Sequence, residues 1–266
     1  MQGPLRSAPP RSPSPIDPVA PYDFVAPRLF VDAPLRPAAE LPLDRTQANY
    51  LLNVLRLKGG DAVLVFNGRD GEWRARVEPD GRRGARLRAE EATRSQTTRP
   101  DVHLLFAPLK HARLDYAVQK AVEMGAGVLR PVLTRRTQAA RVNEERMRAN
   151  VVEAAEQCGV LAVPEVRAPE RFERAVATLE ADRLLVFCDE DAPFANPVDA
   201  LGEHRNRSGQ IAVCVGPEGG FTDEERALVA AHRSTVRVSL GPRVLRADTA
   251  AVAALALVQA TLGDWR

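Results

Sequence analysis

A chain of 266 residues is long enough for one large domain or two of ordinary size, and 45% apolar residues with 5% aromatics is a soluble globular composition. The formal net charge is only +2, yet residues 24–99 carry 14 Lys and Arg against 10 Asp and Glu, while residues 100–266 carry 21 against 23. A modestly basic N-terminal part suits an anionic partner such as RNA, and an arginine-rich chain also scatters such imbalances by chance. Cys158, Cys188 and Cys214 lie far apart without a C-x-x-C, which excludes a disulfide framework and reads as reduced intracellular thiols. His103, His111, His204 and His232 lack metal-ligand spacing, so no metal is expected.

Residues 1–23, rich in Pro and Ser, read as a disordered tail without the apolar core of a secretory signal. No apolar run is long enough for a membrane span, so a cytoplasmic protein is expected. From Arg28, "RLFV" is strand-like. "LDRTQANYLLNVLRLKGGD" then places Tyr50, Leu51, Val54 and Leu55 on one helix face, ended by Gly59-Gly60. "DAVLVFNG", "GEWRARVEPDG" and "GARLRAEE" are strands joined by Asn-Gly and Asp-Gly turns. This predicts a small β-barrel with one helix over residues 24–96, closed by the linker "TRSQTTRPD".

From residue 100 to 266 the rhythm changes. "DVHLLFAPL" is a buried strand. "RLDYAVQKAVEMGA" is an amphipathic helix with Leu114, Ala117, Val118, Ala121 and Val122 on one face and Gly125 past its end. "GVLRPVLT" is a strand. "NEERMRANVVEAAEQCG" is a helix capped by Asn143, with Cys158 continuing the apolar face of Met147, Val151, Ala154 and Ala155. "RLLVFCDE", "QIAVCVGPE" and "TVRVSLGPR" are further strands separated by helical segments. Such alternation predicts an α/β domain with a parallel sheet covered on both faces. Ligands bind beyond the carboxyl ends of such strands, so the loops after Glu190, Val215 and Leu240 matter most.

"VGPEGGFTDEE" is one of these loops. It has no Walker lysine and no G-x-G-x-x-G, and Glu218 stands where a phosphate loop would carry a cation. Gly216, Gly219 and Gly220 allow close backbone approach to a flat ligand, or simply form a tight turn. Thr222 and Glu225 have capping-box spacing. "SLGPRVLRADTA" is another, with Gly241-Pro242, two arginines, and an Asp248-Thr249 pair able to cap the last helix. That helix, "AAVAALALVQATL", is apolar on nearly every face, so it should be buried on two sides, by the sheet and a partner subunit or within a single-chain core.

Together "VGPEGGFTDEE" and "LGPRVLRADTA" resemble the signature pair of the ribosomal RNA small subunit methyltransferase E (RsmE) family. "PRLF", "NVLRLKGGD", "QKAVEMG" and "EAAEQCG" extend the resemblance over nearly the whole chain from Arg28. It implies a PUA-like N-terminal β-barrel for RNA and a C-terminal SPOUT α/β domain with a deep trefoil knot. It also implies a homodimer that binds S-adenosyl-L-methionine in the knot and methylates N3 of a uridine in the 16S rRNA of the 30S subunit. By the same resemblance Gly216, Glu218, Gly219, Gly220, Ser239, Leu240, Gly241, Pro242 and Leu245 hold the cofactor. Arg246 would stabilise the anionic uracil, and Glu156 or Asp248 would take its proton. Val160 stands where the family usually has arginine, and "LRADT" replaces the usual "LRTET". Two rival readings are a non-enzymatic ribosome-assembly factor and a Rossmann-type nucleotide enzyme, the latter lacking its phosphate fingerprint here.

Overall fold

The computed structural model describes residues 26–81, 84–110, 112–138, 141–192, 196–205 and 210–265; the expected disordered tail of residues 1–23 and His111 lie outside them. The N-terminal part comprises β1 (Arg28–Phe30), β2 (Glu40–Pro42), α1 (Arg45–Asn49), a π turn (Tyr50–Val54), β3 (Ala62–Phe66), β4 (Glu72–Asp80) and β5 (Gly84–Arg94). Its strands form one sheet in the order β1-β3-β4-β5-β2. The first half of β5 alternates, with Ala85, Leu87 and Ala89 inward and Arg86 and Arg88 outward, as a half-buried strand requires.

The sheet is a half-barrel, not the closed barrel expected: β1 and β2 are its two edges and do not pair. The reason lies in the second sheet's helices. The exposed edge of β1 is covered from outside, because Phe30 N donates to the Glu156 carboxylate at 2.7 Å. An edge satisfied in this way has no need to close on β2. The helix also departs from expectation. Asp44 and Gln47 form a capping box, but the α register gives way to the π turn at Tyr50. That shift turns Val54 outward, to 61% exposure, while Leu51 stays buried. The turn ends at Arg56, with φ +58°, ahead of Gly59-Gly60.

The second part runs β6 (Val102–Phe106), α2 (Ala112–Glu123), β7 (Val128–Leu133), α3 (Glu144–Cys158), β8 (Glu165–Val166), β9 (Glu170–Arg171), α4 (Phe172–Ala177) and β10 (Leu184–Cys188). It continues with α5 (Pro197–Gly202), β11 (Ile211–Val215), α6 (Asp223–Ala230), β12 (Thr235–Val238) and α7 (Ala247–Thr261). The strands form a parallel sheet in the order β12-β10-β11-β6-β7-β8, with β9 also beside β7. β6, β10 and β11 are buried along their whole length. Their period of two divides the core: Leu104, Phe106 and Val213 face α2, α3 and α7, whereas Leu105, Phe187 and Cys214 face Phe172 and Phe221.

Asn143 caps α3 through its side chain, and Gly159 ends it at φ +64°. Cys158 is exposed, contrary to the core position expected for it. It lies in the last turn of α3, near enough to Lys120 and Glu123 of α2 for their charges to act on its thiol. α7 buries Ala250, Ala251, Ala254, Leu255 and Val258 but leaves Val252, Ala253, Ala256 and Leu257 half-exposed, so this chain covers only one of its sides. Among the described residues no helix is long and apolar enough to cross a membrane.

A polar junction joins the two sheets. Buried Glu72 bonds Arg28 and Arg94, each at 2.8 Å, and Arg94 reaches on to the Gly159 carbonyl at 3.0 Å. Burial alone would raise the Glu72 pKa, but hydrogen bonds from Arg94, Arg28 and Thr93 outweigh it and hold it below the usual carboxylate value.

Candidate active site

β10, β11 and β12 end side by side, and the loops that leave them enclose a cavity of about 420 Å³. Gly216, Glu218, Gly219, Gly220, Ser239, Leu240, Gly241, Pro242 and Leu245 all line it, with Asp189, Glu190, Arg243, Ala247 and Ala250 among their neighbours. Two loops separated by a helix and a strand in sequence thus meet on one ligand-sized space.

The glycines divide by function. A Cβ on Gly216 would come within 2.5 Å of the Phe221 ring, which packs between Phe172 and Phe187. A Cβ on Gly220 would overlap the Glu190 carboxylate, and Gly220 has φ +70°. The fold itself requires these two. Gly219 is different: a Cβ there meets only the Arg136 side chain, at an ordinary 3.4 Å, so this position is free to serve a ligand.

The surrounding polar groups hold the loops in register. Thr222 and Glu225 form the expected capping box on α6. The buried Glu225 also accepts from Arg135 N at 2.8 Å, tying the loop after β7 to the loop after β11. Arg136 donates to the Gly219 carbonyl at 2.6 Å. Asp189, buried at the end of β10, accepts from Arg226 and Arg237. Arg226 also bonds Glu190 and the Phe221 carbonyl, joining the β10 and β11 loops. The carboxylates of Asp189, Glu190 and Asp191 lie within 4.8 Å of one another, but Arg226 pairs with all three. Sequence reasoning missed this network and Arg136. The only signal for the network was the acidic run "DED" at a strand end, and the partners lie more than 30 residues away.

The cavity lining carries three acids, Asp189, Glu190 and Glu218, against one base, Arg243. Arg226 and Arg237 pair with Asp189, Arg226 with Glu190 and Arg113 with Glu218, so the set offers held carboxylate acceptors that suit ligand hydroxyls or a positive group. Arg246 is the N-cap of α7, between Leu245 and Ala247 of the lining; its carbonyl accepts from Ala250 N at 2.7 Å, and its exposed side chain makes no hydrogen bond or ion pair among the described residues. Asp248 lies in the first turn and is not the cap; its Oδ1 accepts from Thr249 N at 2.9 Å.

Glu156 is not brought to this cavity. It sits on α3 at the junction of the sheets, bonded to Phe30 N and lining a separate space with Tyr50, Leu55 and Leu57. Its burial raises its pKa above the ordinary carboxylate value, opposed by the Phe30 bond. The helical run that placed it near "EQCG" says nothing of which neighbour that face meets. Val160 packs against the core in the position where arginine was expected.

The RNA methyltransferase domain family matches residues 96–259, and the RNA methyltransferase PUA domain family matches residues 43–90. The chain is 31% identical to ribosomal RNA small subunit methyltransferase E of Rickettsia conorii over 237 residues, covering 87% of this chain and 94% of that protein. It is 34% identical to the protein of the same name from Synechocystis over 243 residues, 90% of this chain and 77% of that one. A crystal structure of the Neisseria gonorrhoeae enzyme bound to S-adenosyl methionine matches with a TM-score of 0.79 at 28% identity, covering 91% of this chain and 100% of the other. A putative methyltransferase from Legionella pneumophila in complex with the cofactor matches with a TM-score of 0.78 at 29% identity, covering 90% and 99%. With a methyltransferase family spanning most of the chain and a relative above 30% identity along nearly its full length, the chain belongs to the ribosomal RNA small subunit methyltransferase E family.

Proposed function

We propose that this chain is an S-adenosylmethionine-dependent 16S rRNA methyltransferase acting on N3 of a uridine in the small ribosomal subunit. The observation that carries this reading is the convergence of nine residues, from two separate loops, on one cavity of about 420 Å³. The donor set fits the cofactor. Backbone at Gly219 and Gly241 leaves room for a flat ring, and the acids of the lining accept ribose hydroxyls and tolerate a sulfonium. S-adenosylmethionine supplies an activated methyl group.

The residues of this chain position the acceptor base and stabilise its charge. Arg246, unpaired at the rim, would face the uracil oxygens as N3 loses its proton. Asp248, in the first turn of α7 and two residues from Arg246, would take that proton, and the proposal gives Glu156 no such part.

The half-exposed apolar side of α7 supports a homodimer built on Val252, Ala253, Ala256 and Leu257. The meeting of the 216–222 and 239–246 segments at the ends of β11 and β12, on either side of β10, supports a SPOUT domain with a trefoil knot over residues 100–266, preceded by a PUA-like RNA-binding domain over residues 24–96. A cytoplasmic location follows from a ribosomal substrate. The test is methyl transfer to small subunits from a strain lacking the enzyme, followed by mass spectrometry of 16S rRNA nucleosides. N3-methyluridine is expected; its absence, with cofactor binding retained, would leave a non-enzymatic assembly factor.

A further inference from the structure

A second cavity, of about 390 Å³, lies at the junction of the two sheets and shares no lining residue with the cofactor space. One wall is Pro27 with Leu55 and Leu57, another is the half-buried ring of Tyr50, and Glu156 and Gln157 of α3 close the third. The backbone that builds it is unusual. The helix changes to a π turn at Tyr50, and Arg56, between the two lining leucines, holds φ +58° while Leu57 N donates to Leu51 O at 2.9 Å. A π turn and a left-handed non-glycine residue together mark a segment whose shape is maintained against its local preference.

Glu156 is the carboxylate of the cavity, which Arg28, Gln157 and Tyr50 also line. Its Oε1 accepts from Phe30 N at 2.7 Å, and its Oε2 accepts nothing among the described residues. One amide does not saturate a carboxylate, which has about four acceptor positions. The bond to β1 instead holds the group in place, with acceptor capacity left over. At the rim, Arg56 and Lys58 are exposed and form no ion pair among the described residues.

We propose that this junction cavity binds an unstacked guanine base of the RNA substrate, with Glu156 accepting from its Watson–Crick edge and Tyr50 stacking on its face. This rests on the RNA-methyltransferase reading above. Arg28 of the lining is already paired with Glu72, so the fixed Glu156 carboxylate favours a base edge with N–H donors over the phosphate backbone. Guanine alone among the four bases offers two adjacent N–H donors, N1–H and N2–H, that match both carboxylate oxygens. Adenine, cytosine and uracil each set an acceptor against one of them. Stacking on an aromatic face with edge recognition is how single-stranded RNA is read, and Arg56 and Lys58 are placed for the flanking phosphates.

The test uses the full chain with GMP and AMP as probes, by calorimetry. GMP is expected to bind at least about tenfold more tightly than AMP, within the range of one bidentate base contact. Glu156→Gln keeps a carbonyl for Phe30 N but replaces one acceptor with a donor. It is expected to remove that preference while S-adenosylmethionine affinity, as the check on folding, stays the same. Tyr50→Ala is expected to weaken GMP and AMP alike. Equal or absent binding of GMP and AMP by the unaltered protein, or an unchanged preference in Glu156→Gln, overturns the proposal. N3-methyluridine formation without GMP preference would sink the guanine site alone. GMP preference without methyluridine would support the site and sink the activity.

Discussion

Arg246 stands at the N-cap of α7 without a partner among the described residues, although the chain is rich in acids that pair its other arginines. An unpaired guanidinium at the rim of a cavity is available for charge that appears only during reaction. Arg246→Ala is expected to lower the methyl-transfer rate about a hundredfold, the scale of losing one oxyanion donor, with little change in cofactor affinity. Arg246→Lys should recover only part, because a point charge does not bridge two oxygens. Single-turnover kinetics on unmethylated small subunits decide it, and an unchanged rate would remove Arg246 from the chemistry. The neighbouring glycines give a second contrast. Gly220→Ala meets both the Glu190 carboxylate and a left-handed backbone, so a loss of roughly 1–3 kcal/mol in stability is expected. Gly219→Asp has room for its Cβ and instead adds a fourth carboxylate to the lining. It should abolish cofactor binding at a nearly unchanged melting temperature. Calorimetry and thermal unfolding of the two variants separate these effects, and a fall in stability for Gly219→Asp would contradict the division. The sequence marks all three glycines equally; only packing on Phe221 and Glu190 distinguishes them.

At the scale of elements, strand ends were legible and helix faces were not. An apolar run that stops at glycine identifies the carboxyl end of a parallel strand, and parallel strands put those ends on one edge, so the loops of "VGPEGG" and "SLGPRVL" were found before any geometry. Periodicity shows that a helix has a buried face, not what buries it. Hence the pattern points Cys158 at the core although it is exposed, and does not reveal that Glu156 lies outside the cofactor cavity with its carboxylate on Phe30 N. The junction pair was hidden for the same reason: Arg28 and Glu72 are 44 residues apart. That pair makes a testable contribution. Because the Glu72 pKa lies below its unfolded value, its stabilisation is present above the ordinary carboxylate pKa and disappears as pH falls through the folded value. Glu72→Gln removes the buried charge that Arg28 and Arg94 share and should cost about 3–5 kcal/mol near neutral pH. Below the folded pKa the gap from the unaltered protein should narrow. Urea unfolding as a function of pH measures it; a gap independent of pH would place the stabilisation elsewhere. α7 offers the other element-scale test. Leu257→Glu puts a charge on its half-exposed apolar side and should convert a dimer to monomers by sedimentation, with loss of methyl transfer. A chain already monomeric at micromolar concentration would contradict the interface.

For the whole molecule the question is which surface meets RNA, and the distribution of pairing answers more than net charge does. On the outer face of the half-barrel, Arg74 pairs with Glu91, Arg76 with Glu90, and Arg86 with Glu78, so those cations are already neutralised. On the side of α1 and the π turn, Arg45, Arg56 and Lys58 are exposed and form no ion pair among the described residues. Among the described residues of this part only Arg36 also lacks an ion pair, so most of the unneutralised basic excess is on the side of α1 and the π turn. That side is continuous with the junction, where the Arg94 bond to Gly159 and the Glu156 bond to Phe30 fix it to α3 and so to the methyltransferase sheet. RNA held there is held at a set distance from the cofactor cavity. Binding of the full chain to small subunits should weaken steeply with salt, because each neutralised phosphate releases counterions. Arg56→Ala and Lys58→Ala should each reduce the slope of log affinity against log salt by about one contact, whereas Arg74→Ala and Arg86→Ala should leave it unchanged. Filter binding across a salt series measures all four variants on one axis. Equal slopes would assign RNA binding to another face, and a loss of slope in Arg74→Ala would mean that its pair with Glu91 opens to admit phosphate.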